Sequence, residues 1–167
     1  MGFFSPAYSG TIELATVPSD FTEKIARRVE TGLLSPGSRR RANYVVCSKT
    51  AQAITFMAVG FLTAYNIGLN YVVLDRSGDR GISYRVRYWR WAIYAAIQGL
   101  LVASAVLIAV LLLPGGRAQV ESYSGGWIFL GVLLVFFGLI WPWLLVAMHK
   151  RFAARFLERI VREAVAT

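Results

Sequence analysis

Two apolar runs, Trp91–Leu113 and Trp127–Met148, constrain this chain more than any other feature. Neither contains a charged residue. Each exceeds the roughly 20 residues that a helix needs to cross about 30 Å of hydrocarbon. A short polar break, Pro114–Gly126, separates them. The spacing predicts two spanning helices joined as a hairpin.

A third charge-free run extends from about Ala51 to Leu74. Its length suits a further span, but it carries Gln52, Thr55, Thr63, Asn66 and Asn70. Wound on a helix at 100° per residue, these five fall within about 80° of one another. Such a stripe should face protein or water rather than lipid. Interhelical hydrogen bonding is the plainer role for uncharged polar side chains in a bundle, and a pore or cavity lining is the sharper one.

Around these runs the pattern is amphipathic. Residues 1–18 mix aromatics, Gly, Pro and Ser without a period and read as an irregular lead-in. Ser19 is placed to cap a helix whose first turn holds Asp20 and Glu23, where carboxylates suit the helix dipole. Phe21, Ile25, Val29 and Leu33 then form an apolar stripe at four-residue spacing, fitted to a membrane surface or a partner. Ser35-Pro36-Gly37 ends that helix, and Arg39, Arg40 and Arg41 follow as a compact basic cluster. At the other end, Phe152, Phe156, Leu157, Ile160 and Ala164 predict a second amphipathic helix, folded onto the bilayer or onto another chain.

The expected fold is therefore an all-α integral membrane protein. Three apolar helices, two of them paired as the hairpin and one a candidate third span, are flanked by amphipathic helices at both ends. The segments are residues 1–50 (polar, with an amphipathic helix), 51–148 (membrane helices) and 149–167 (a basic amphipathic helix).

Net charge is +9, and its placement beside apolar runs points to anionic lipid rather than nucleic acid. Arg76, Arg80, Arg85, Arg87 and Arg90, interleaved with Tyr84, Tyr88 and Trp89, read as a loop that docks lipid headgroups or a partner. Basic residues number seven before Ala51, five in 75–90, one in 114–126 and five after Met148. With two spans, seventeen stand on one side against Arg117 alone, as the positive-inside rule asks. With three spans the rule is violated, least so with the N-terminus outside. Hydropathy favours three spans and charge favours two; run length tips the expectation to three.

Small residues recur at every fourth position in Ala95, Gly99 and Ala103, which lets another helix approach closely. Pro142 should kink the last run. All nine carboxylates lie outside the apolar runs, which disfavours proton relays and pumps. Cys47 is the single cysteine and His149 the single histidine, so neither a disulfide nor a Cys/His metal cluster is built here. No phosphate loop, nucleophile elbow or HExxH motif stands in the chain, and no catalytic residue, cofactor or metal is assigned.

The expectation is a small non-catalytic accessory subunit of a larger complex in an inner or organellar membrane. It would scaffold partner helices and lipids, with other membrane subunits and anionic lipids as partners and no nucleic acid. The alternative is a homo-oligomeric channel or small transporter lined by the polar face of the Ala51–Leu74 helix.

Overall fold

The computed structural model describes residues 7–34, 43–62 and 67–166. It corrects the all-α expectation. The chain builds a five-stranded antiparallel sheet as well as helices, and it divides into two compact units, Met1–Trp91 with His149–Thr167, and Ala92–Met148.

The first unit holds strands β1 (Ala7–Glu13), β2 (Tyr44–Lys49), β3 (Ala53–Ala58), β4 (Tyr71–Arg76) and β5 (Gly81–Arg87), in the order β1-β5-β4-β3-β2. The run Ala51–Leu74 is thus not a membrane helix. It supplies the two neighbouring strands β3 and β4, paired with Phe56 opposite Val72 and Ile54 opposite Leu74. Side chains alternate along both: Ile54, Phe56, Ala58, Val72 and Leu74 are fully buried while Thr55, Met57, Tyr71 and Val73 are half-buried. Their β-branched and aromatic content suits a pleated surface, and a strand's period of two hides every second residue without any hydrocarbon. The basic stretch after it is not a loop either: β4 and β5 form a hairpin turning at Gly78, whose φ of 82° is a left-handed value that glycine adopts freely. The irregular lead-in likewise contains β1, which pairs with β5 across Tyr8–Val86 and Ile12–Ile82.

One sheet face is covered by helices. Helix α1 (Phe21–Gly32) forms where the four-residue stripe predicts it, and Phe21, Ile25, Val29 and Leu33 are all buried. The chain's last helix, whose limits are given below, adds Ala153, Leu157, Ile160, Val161 and Ala164 to the same core. Arg28 reaches Glu163 at 3.3 Å and Lys24 Nζ donates to the Val165 carbonyl at 3.1 Å, so the two helices lie side by side. Both amphipathic stripes therefore find their apolar partner within the chain, rather than on a membrane or another protein. The C-terminal stripe is also rotated from the expected one, with Phe152 left 59 % exposed and Ala153 and Val161 taking buried places.

The second unit is helical. Helix α2 (Trp89–Leu112) leaves the sheet unit and enters it; α3 (Gly116–Glu121), α4 (Gly126–Val135) and a π-helical turn (Phe136–Ile140) follow, and α5 (Trp141–Ala166) carries the chain back. Among the described residues, two helices, Trp89–Leu112 and the continuous Gly126–Ala166, are long and apolar enough to cross a membrane, where three spans were expected. The π turn has a local cause: Pro142 cannot donate a backbone hydrogen bond, and its ring would crowd the carbonyl four residues earlier, which a widened turn relieves.

Candidate membrane and partner interface

The polar stripe expected on one helix is dispersed by the strands. Gln52 lies in the exposed turn before β3, its carbonyl accepting from the Arg76 N–H at 2.8 Å. Thr55 faces the uncovered side of the sheet. Thr63 and Asn66 lie outside the described residues. Of the three described residues, Asn70 is the buried one, 4 % exposed, and its role is specific. Its Oδ1 accepts the Arg90 N–H at 3.2 Å, satisfying a first-turn donor of α2 that has no partner within its own helix. Over the described residues, β3 and β4 stand where the channel alternative placed its lining helix.

The five arginines are likewise separated. Arg76 turns toward the sheet end, where its guanidinium donates to the Val17 and Gly78 carbonyls and meets Asp79 at 3.3 Å. Arg80 lies in the β4–β5 turn. Arg85 and Arg87 project from the uncovered face of β5, and Arg87 lies 5.8 Å from the Tyr71 ring centre. Arg90 starts α2 and stacks over Trp89 at 5.5 Å. Arg39, Arg40 and Arg41 lie outside the described residues.

Arg85 and Arg87 edge a surface that no described element covers. Its middle is Val45, Thr55, Met57, Tyr71 and Val73, a mixed apolar and aromatic strip. β2 closes one side of it with a bulge at the exposed Cys47, which interrupts the ladder and blunts an edge that would otherwise invite another strand.

The opposite face holds the polar groups that sequence reasoning missed. Tyr8 and Tyr44 are 8 % and 4 % exposed, and neither hydroxyl has a hydrogen-bond partner among the described residues. Burial pushes both phenols well above their ordinary value, Tyr84, Tyr88 and Tyr44 adding to the effect at Tyr8. Tyr84 folds its ring over Gly10, directly across the pair, so that a Cβ at Gly10 would strike the phenol. The alternation of β1 would have pointed to Tyr8 had that strand been recognised.

Where α2 departs and α5 returns, Trp91 and His149 stack with centroids 4.2 Å apart, 9° from parallel. Gly68 packs on that histidine: a Cβ there would sit 2.6 Å from Nε2, and its φ of 74° already favours glycine. Trp89, Tyr88 and Lys150, whose ammonium lies 5.7 Å over the Tyr88 ring, complete a belt of aromatics and cations.

Within the hairpin unit, the small-residue row of α2 meets the π turn. A Cβ at Gly99 would collide with Pro142 and with the Phe137 carbonyl, and Ala103 faces Gly138. Phe136, Phe137 and Trp141 cluster beside this contact with centroids 5.3–6.3 Å apart. Near the polar break an open groove of about 510 Å³ runs between Val110, Val120, Tyr123, Phe129 and Leu133. Among the described residues no three His, Cys, Asp or Glu side chains converge on a metal position. Comparison with protein-family models, with curated proteins and with solved structures finds no match to this chain.

Proposed function

We propose that this chain is a two-span membrane protein acting as a non-catalytic accessory subunit, which holds its sheet unit against the membrane surface for a partner subunit. The observation that carries the reading is the composition of the sheet unit. The residues before the hairpin and the helix after it fold into one body. A hairpin whose two ends are tied into one body must enter and leave the bilayer on the same side. That arrangement also removes the charge conflict, because seventeen of the eighteen basic residues then share one side with Arg117 opposite. The positive-inside rule makes that side cytoplasmic or its organellar equivalent.

The partner reading rests on the uncovered sheet face. Its Val45–Met57–Tyr71–Val73 strip is flanked by Arg85 and Arg87, a pattern that fits an apolar partner surface with acidic edges. The test is native purification in mild detergent followed by mass spectrometry. A constant set of co-purifying membrane subunits, lost on Tyr71→Asp with Met57→Asp, supports the reading. A stable lone monomer from native membranes refutes it.

A further inference from the structure

The connection from β3 to β4 leaves the sheet at the end where β5 passes into α2, opposite the Gly78 turn. Met57, Tyr71 and Arg87 stand opposite one another across three strands, so the residues after Ala58 and after Arg87 depart side by side. The start of this connection is held: the Val59 N–H donates to the Asn43 carbonyl at 2.8 Å. Its far end is held as well, by Gly68 against His149 and by Asn70 on the first turn of α2. Between these anchors Val59, Phe61 and Leu62 stand 62 %, 51 % and 71 % exposed. Three large apolar side chains gathered in four residues of a soluble surface are costly in water. Here they follow Ala58 at the end of the sheet where β5 passes into α2. Arg87 at the end of β5, Arg90 and Lys150 each lie over an aromatic ring, and Trp89 is 47 % exposed. Aromatic residues and snorkelling cations are what a protein presents at headgroup depth.

We propose that Val59, Phe61 and Leu62 insert into the interfacial layer of an anionic bilayer, a membrane contact made by the sheet unit in addition to the two spans. The occupant assigned to this apolar segment is lipid because the segment leaves the sheet at the end where β5 passes into α2, and because the charge at that end is positive, complementary to anionic headgroups. The inference rests on the two-span reading above.

The test uses the full chain in vesicles of phosphatidylcholine and phosphatidylglycerol in equal parts. A Cys47→Ser background receives Phe61→Cys or, separately, Leu62→Cys, each labelled with an environment-sensitive fluorophore. Ala15→Cys serves as the reference, since Leu14 and Val17 bond to Arg80 and Asp79 at the opposite end of the sheet. The expected result is emission shifted to the blue of the Ala15 position. Quenching by nitroxide-bearing lipid is expected at 61 and 62, with quenching by aqueous iodide lost there but retained at 15. Iodide quenching at 61 and 62 overturns the proposal. Protection from both quenchers overturns it too, since the segment is then covered by protein. Carbonate extraction of the same vesicles separates the two readings: protein that stays in the membrane while iodide reaches the label refutes the loop contact alone, whereas release refutes both.

Discussion

Truncating Leu157 asks whether the C-terminal helix belongs to the sheet unit or to a membrane surface. Its side chain is fully buried, with Ala153, Ile160 and Val161 buried on the same helix. Leu157→Ala removes three carbons, worth about 0.8 kcal/mol each in transfer, or about 2.4 kcal/mol together. The remaining hole adds a cavity cost, because close-packed surroundings collapse only in part, and the total falls within about 2–5 kcal/mol. For a domain near 100 residues, about 3 kcal/mol lowers Tm by roughly 10–20 °C. The assay is thermal unfolding of detergent-solubilised protein, followed by near-ultraviolet circular dichroism, with Leu139→Ala as comparison. Leu139 is 71 % exposed on the hairpin, and its truncation should leave Tm within a few degrees. If Leu157→Ala shifted Tm no more than Leu139→Ala, the helix would not be packed on the sheet. The single-body argument for two spans would then fail.

Alkaline pH should unfold the sheet unit through its buried phenols. Tyr8 and Tyr44 titrate higher folded than unfolded, so their stabilisation is complete below the ordinary value near 10 and is lost as pH rises above it. The slope is about 1.4 kcal/mol per pH unit for each phenol, and Tyr8→Phe with Tyr44→Phe should move the alkaline midpoint upward in a pH titration. An unchanged midpoint would show that the phenols ionise in place. Gly68→Ala should cost more in denaturant unfolding than Gly78→Ala. Both impose a side chain at positive φ, but only the first also meets His149, while nothing lies within 4 Å of Gly78. Equal losses would remove the Gly68–His149 contact. In the hairpin, Gly99→Ala should destabilise by about 1–3 kcal/mol through overpacking against Pro142. Gly131→Ala, with nothing within 4 Å, should be neutral or better. Thermal stability in detergent that ranks the two the other way would mean that the helices do not meet at Gly99.

The sequence alone determined the elements whose evidence is local. The two charge-free runs are longer than any soluble helix of this chain requires, and both appear as long apolar helices. The period of four from Phe21 to Leu33 wrote α1 directly, because a helix repeats its buried face within one turn and the residues that reveal it are sequence neighbours. Pro142 announced a disturbance through its missing N–H. The small-residue row at Ala95, Gly99 and Ala103 was visible as well, though not that it would meet Pro142.

Only the tertiary structure decided what became of Ala51–Leu74, where the arginines of β4 and β5 point, and what covers the amphipathic stripes. An apolar run without charge records that a segment leaves water; a bilayer and the interior of a sheet satisfy that equally. The residues that separate the two outcomes are distant in sequence: β1 must pair with β5 some seventy positions away, and α1 and α5 must cover the resulting face. Asn70 shows the same dependence in a single residue. Its amide was legible as polar in an apolar stretch, but its partner, the first turn of α2, exists only once β4 and β5 have paired and brought Arg90 to it. Strand pairing is non-local, so its energy is written in no single window of the chain.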